Sequence, residues 1–425
     1  MDYMALCREL LLISDDHETA GYLQDLVVFD GAGNWPPQTN HGNSWPEPLR
    51  PYHEIYLQLV PTLSCATVLP NDSSNYRRCQ DYRARMRMLL QDRIVIADVA
   101  TLLSDMEAGS CVGFDLKAYN GFYACIALSR HAFRWGTIPI VKAAQEEKII
   151  DIPVELEITW RCLCRHFGLY SQGGNVTSNY FCNFNDRDQI VYLINEDMSE
   201  VTRTAEYHFG HVFPAIEKAA SPVYYHVVNS IFQYETDNKG AYVASLHIIE
   251  RLLRQPIKIY YDTLVDSKIS RSIWMAYCQG FQGWAAGELI DGVYFEYDVL
   301  SGNQLPFCHI IDAFLGLECY LTDQNREGYI PVRQRDFSDS VRKHSFRQQA
   351  KRSGDSVIEA EMEKIVRRMR IFRHTHCACA TLLTAPERLV MTAGKSVLES
   401  EEIPDVDAAI DFLDDILVKR LGETR

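Results

Sequence analysis

His376 occupies the apolar stripe of a long helical pattern near the C-terminus. Ile358, Met362, Ile365, Met369, Phe372, His376, Ala380 and Leu383 recur at steps of three or four, which places them on one buried helix face. Glu361, Lys364, Arg367, Arg368 and His374 fall on the opposite face, the pattern of a solvated surface. An inward imidazole is either a core histidine satisfied by a carbonyl or a ligand to a metal or haem iron. His374, His376, Cys377 and Cys379 together also look like a zinc cluster, but residues two apart point about 200° apart around a helix. They cannot converge on one ion unless the helix breaks.

A second pair of histidines lies on the helical pattern before Pro222. Val201, Ala205, His208, Val212 and Ile216 form its stripe, which brings His208 toward the core with His211 on the flank. Pro214 removes a helix hydrogen bond and is expected to kink the chain near Gly210, so either ring could be presented to a pocket as an acid or base. The alternative for both is an ordinary core histidine. Thr392-Ala-Gly-Lys-Ser396 lacks the upstream glycine of a phosphate loop, and the chain has no Gly-x-Ser-x-Gly elbow or His-Glu-x-x-His motif.

The segment Phe372-Arg-His-Thr-His376 resembles the helix that carries the proximal haem histidine in the indoleamine and tryptophan dioxygenase superfamily. Further similarities follow in the same order: Ala127–Gly136, Ile273–Trp284, Val293–Gly316 with Ser301, Gly302, Gln304 and Asp312, and Tyr329–Phe337. The similarity covers roughly residues 120 to 420. The Ser178–Val201 segment, Ser221-Pro-Val223 and Leu305-Pro-Phe307 resemble the monodechloroaminopyrrolnitrin synthase branch.

This resemblance implies haem b, with iron on His376 and an open site for dioxygen or peroxide. It implies pocket walls of Phe133, Ile273, Trp274 and Cys278, and a haem edge of Ser301, Gly302 and Gln304. Arg373 is expected to reach a propionate, or else to be a surface arginine. A distal acid or base is expected from His208 or His211. The implied activity is oxidation of an aromatic, indole- or amino-acid-derived small molecule in specialised metabolism. Alternatives are a tryptophan or indoleamine 2,3-dioxygenase and a non-catalytic haem-binding relative. Cys278 stands where the family grips a carboxylate with arginine, and a neutral thiol cannot form that bidentate pair.

The elements that must position these residues are mostly helices. Candidates are 81–107, 119–133, 140–148, 153–167, 186–219, 222–234, 240–253, 270–282, 305–318, 357–384 and 405–419. Strand signals are short, mainly 257–261 and 293–297, and the Gly- and Pro-rich stretch 31–80 is expected as loop. The expected fold is mainly α: a helical haem-binding bundle of indoleamine-dioxygenase type (119–425) beneath a smaller N-terminal helical and loop region (1–118).

With 425 residues, 47% of them hydrophobic, the chain can bury a sizeable core. Its 57 acidic and 42 basic residues give a net charge of -15, which disfavours nucleic acid or an anionic membrane as partner. The apolar run at the N-terminus has no basic flank and is followed by Asp15 and Asp16, unlike a secretory leader. No segment has about eighteen uninterrupted apolar residues. The 13 cysteines suit reduced thiols rather than a disulfide framework. The expectation is a cytoplasmic monomer or homodimer.

Overall fold

The Glu200–Glu235 helix is the longest element, 36 residues in one run. Ser199 caps it by accepting from the Thr202 amide at 3.3 Å, and Glu200 complements the helix dipole in the first turn. It was expected as two helices broken before Pro222, yet Pro214 and Pro222 both lie inside it. Each proline forfeits a hydrogen bond at a cost of about 3 kcal/mol. Burial of Val212, Phe213, Ile216, Ala220, Val223, Tyr224, Val227 and Ile231 on both sides of the prolines outweighs that cost.

The computed structural model describes residues 13–65, 72–109, 114–297 and 302–380; among these, the side chains of residues 72, 303 and 374–380 lie outside the description. Ser301 and the expected helix at 405–419 also lie outside the described residues. The protein is mainly α-helical. Among the described residues there are two strands, Ala286–Ile290 and Val293–Tyr297, which pair antiparallel with Ala286 opposite Tyr297. They turn through Asp291 and Gly292, both at positive φ (50° and 79°), as a two-residue hairpin with right-handed twist requires.

Three expectations are corrected. Residues 257–261 are not a strand but part of the Arg254–Thr263 helix, in which Pro256 and Ile257 are buried and Tyr260 meets Phe372 edge-on at 5.1 Å. Packing of an amphipathic face overrides the β-branched run. Residues 186–199 are loop rather than helix, because Asn185 Oδ1 accepts from the Arg187 and Gln189 amides and so supplies a turn in place of helix bonds. The stretch 31–80 is loop only in part. It contains the Arg50–Leu59 helix, whose Pro51 sits in the first turn where its missing N–H costs nothing, and the start of Asp72–Arg93.

Two cores result. One runs from Trp45 to Ile194, adds Phe281 and Ala285, and draws on residues either side of position 118. The other joins Ala20–Trp35 to the Glu200–Glu235 helix and to the Lys239–Leu252, Pro306–Phe314, Val332–Lys343 and Ser356–Ala380 helices. Glu217 is a cross-link inside this second core. Wholly buried, it accepts from Trp35 Nε1 (2.7 Å), Tyr224 OH (2.7 Å) and the Phe307 amide (2.8 Å), so three separate stretches of chain meet at one carboxyl group. Burial pushes that carboxyl up to about 7 against the pull of these donors.

At the far end of the long helix, Glu235 accepts from His17 Nε2 (3.0 Å) and from His344 Nδ1 (2.5 Å), while His344 Nε2 reaches Glu18 (2.5 Å). Both ring nitrogens of His344 thus face carboxylate oxygens, which makes the ring an imidazolium. Partial burial opposes that charge, but the bonds to Glu235 and Glu18 outweigh it and raise the His344 pKa from its ordinary 6.5. Bonds to Lys343 and then His344 lower Glu18; for Glu235 the bonds from His344 and His17 overcome a burial that acts the other way.

Glu217→Leu is expected to cost roughly 2–5 kcal/mol in a chemical-denaturation melt, since three donors lose their acceptor. A loss under about 1 kcal/mol would mean that the cross-link carries little. The His344 contribution is fully present below its unfolded pKa and is lost as pH rises through the raised folded value; the glutamates lose theirs as pH falls through their lowered values. His344→Gln should therefore lower the melting temperature most near about pH 5.5 and progressively less above about pH 8. A difference that does not change with pH would contradict the imidazolium assignment.

Candidate functional site

The inward face of the Glu200–Glu235 helix carries Thr202, Ala205, Glu206, Gly210, Val212, Phe213, Ile216 and Glu217. His208 is half-buried on the flank, and Val201, expected on its stripe, is 59% exposed. His211 is also on the flank, stacked on Tyr207 (centroids 5.3 Å, planes 12° apart) with the edge of Phe184 at 5.5 Å. Burial lowers the pKa of both rings, so both favour the neutral form. The titratable groups that do point inward are Glu206 and Glu217.

Glu206 accepts from the Ile194 amide (2.8 Å), the Asn195 amide (3.0 Å) and Asn195 Nδ2 (2.9 Å), pinning the 185–199 loop to the helix. Burial pushes it up to about 7, against the pull of the three donors. Beside it is a cavity of about 20 Å³, lined in part by Tyr180, Asn183, Glu206, Phe209, Cys278 and Gln282. That volume holds one water-sized group.

Cys278 reaches this cavity because Trp274–Gln279 is a π-helical turn, an arrangement that inserts an extra residue and re-aims side chains. Burial raises its thiol well above the ordinary value, so it is a neutral lining group. The same turn sets Trp274 against Phe209 (5.5 Å), while Tyr180 stacks flat on Phe213 (4.4 Å, 2°) and meets Phe209 edge-on (5.7 Å). Gly302 borders this wall: a Cβ there would lie 3.9 Å from Phe213 Cε1. Gln304 is buried in the same short turn. The buried Tyr180 OH and Trp274 Nε1 have no hydrogen-bond partner among the described residues.

Of the residues expected at the site, Trp274, Cys278 and Gly302 thus surround one aromatic wall, with Ile273 half-buried immediately before it. Phe133 is elsewhere, beneath the guanidinium groups of Arg83 (5.9 Å) and Arg87 (5.4 Å); the Leu116–Trp135 helix meets the cavity through Leu128 instead. Glu206, Tyr180, Phe209 and Phe213 were missed. Thr202, Glu206, Phe209, Phe213 and Glu217 do recur at helical steps, but two acids on a stripe read as solvent-facing.

On the C-terminal helix, Ser356–Ala380, the expected stripe is buried at Ile358, Met362, Ile365, Met369 and Phe372. The backbone continues helically through residue 376; the side chains of His374 and His376 lie outside the described residues. Glu361, expected on the solvated face, is instead buried, where it meets His247 Nδ1 (3.0 Å) and Lys364 (2.7 Å). The Lys239–Leu252 helix packs over that side. Arg373 is buried too: Nη2 pairs with Asp312, and Nη1 has no partner among the described residues.

The His17, Glu235 and His344 group has metal-like spacing. Its bonding contradicts a metal centre, because His17 Nδ1 accepts from the Thr19 amide (3.1 Å), so Nε2 must carry the proton that it gives to Glu235. A wider open groove of about 830 Å³ beside Phe29, Phe114, Lys117 and His166 includes Arg333, which is already committed to Asp30 at 2.9 Å.

No protein-family model matches the chain, and no curated protein shows significant similarity to it. Among the described residues, no helix is long and apolar enough to cross a membrane.

Arg373→Met should strand the Asp312 carboxylate in the core and cost about 3–5 kcal/mol in a denaturation melt, with Asp312→Asn added on top recovering part of the loss. Strictly additive losses in the double variant would show that the two groups are not coupled.

Proposed function

We propose that the chain is a haem-dependent oxygenase that oxidises an aromatic small molecule, with His376 as the iron ligand. The observation that carries this reading is the wall of Tyr180, Phe209, Phe213 and Trp274, in which two buried donors have no partner among the described residues. Aromatic surface with a few unsatisfied polar atoms is the usual make-up of a site for a flat ligand. The resemblance of the Phe372–His376 segment to a haem-ligating helix supports the choice of cofactor.

The residues fit haem in two respects. Gly302 leaves room at the edge of the wall, and Arg373 keeps a buried N–H without a partner among the described residues, available to an acidic arm of the macrocycle. When bound, haem would supply an iron that binds and activates the oxidant. The protein's share is to lay the touching Phe209 and Trp274 rings against one side of an aromatic ring, to offer Trp274 Nε1 and Tyr180 OH as donors, and to exclude water with buried Cys278 and Phe213. His208 and His211, neutral and half-buried on the flank, would act as acid or base only for a group that reaches that flank.

Purified His376→Ala should lose most of its bound haem, measured by absorbance per protein, while His374→Ala keeps it. The reverse pattern, or equal haem content in both variants, would remove His376 as the ligand.

A further inference from the structure

Glu206 is an acid buried without a countercharge. Its three hydrogen bonds come from neutral N–H groups, and the described residues that line the adjoining cavity include no lysine, arginine or histidine. A carboxylate has about four lone-pair positions, so these bonds leave one open on a residue that borders the cavity. Tyr180 Oη is unpartnered among the described residues, and Asn183 Oδ1 accepts from the Tyr192 amide alone (2.8 Å), with a lone pair to spare. Three acceptors thus border a space of about 20 Å³, the size of one ammonium head.

We infer that this cavity is an ammonium subsite, and that the ligand of the neighbouring aromatic wall is an aromatic amine without a carboxylate. Tyr180 and Phe209 belong both to the cavity lining and to the wall, so a ring laid against the pair of Phe209 and Trp274, whose own rings meet at 5.5 Å, would have its side chain directed toward Glu206. Their ring faces also favour a cation. A carboxylate in the same place would meet Glu206 and a neutral Cys278, with no cation to pair with. An ammonium group would keep Glu206 ionised where burial, even against its three donors, brings it to about 7. The inference rests on the proposed reading only in taking this wall as the ligand site.

The test is isothermal titration of the full chain with tryptamine, indole and indole-3-propionate, with haem content measured by absorbance on the same sample. Tryptamine should bind about tenfold or more tighter than either of the others, and Glu206→Gln should abolish the preference. Tyr180→Phe, which keeps the ring and removes one acceptor, should reduce it and decides the matter if Glu206→Gln fails to fold. Equal affinity for the three ligands, tighter binding of indole-3-propionate, no binding at all, or a preference that survives these variants would each overturn the inference. Bound haem with no amine preference would leave the haem reading intact, and amine preference without haem would do the converse.

Discussion

Two carboxyl groups buried on one face of the Glu200–Glu235 helix hold the molecule together. Glu217 fixes the early loop at Trp35 and the start of the Pro306–Phe314 helix; Glu206 fixes the loop at Ile194 and Asn195. The two are eleven residues apart, about three turns, and so face the same way. Neither has a charged partner among its hydrogen bonds, and burial raises both to about 7. Neutral donors of this kind satisfy a carboxyl group without the desolvation of a second ion.

The difference between the two acids connects structure to function. Glu217 is enclosed by its donors, with relative exposure of 0% and two other segments converging on its own helix, so it reads as architecture. Glu206 has a cavity beside it, a neutral thiol from a π-helical turn and an aromatic wall that continues to Trp274 and Gly302. A carboxyl group costs free energy to bury. A void of about 20 Å³ beside a carboxyl group can take a water or the polar end of a ligand as a further partner.

Local periodicity made part of this legible in the sequence. The stripe from Ile358 to Phe372 has a strict helical repeat, and Val293–Tyr297 is a strand beside a turn signal, so both were found. Long-range burial hid the rest. Pro222 forecast a break that packing on both sides prevents, and Ile257–Tyr261 has strand composition on a helix whose apolar side meets Phe372. Glu206 could not be recognised from its neighbours, because its bonding partners lie eleven and twelve residues away across an irregular loop. Trp274, Cys278 and Gly302, grouped in the sequence only through the resemblance, do lie around one aromatic wall, whereas Phe133 packs under arginines in the other core.

The wall formed by Tyr180, Phe209, Phe213 and Trp274 is proposed to belong to a haem-containing site. Supplying haem during expression and measuring the absorption spectrum of the purified wild-type chain, oxidised and reduced, tests it most directly. Close to one haem per chain is expected, with a reduced spectrum that changes when oxygen or carbon monoxide is added. Protein that stays folded and monodisperse but takes up no haem, or binds it without any response to those gases, would contradict it.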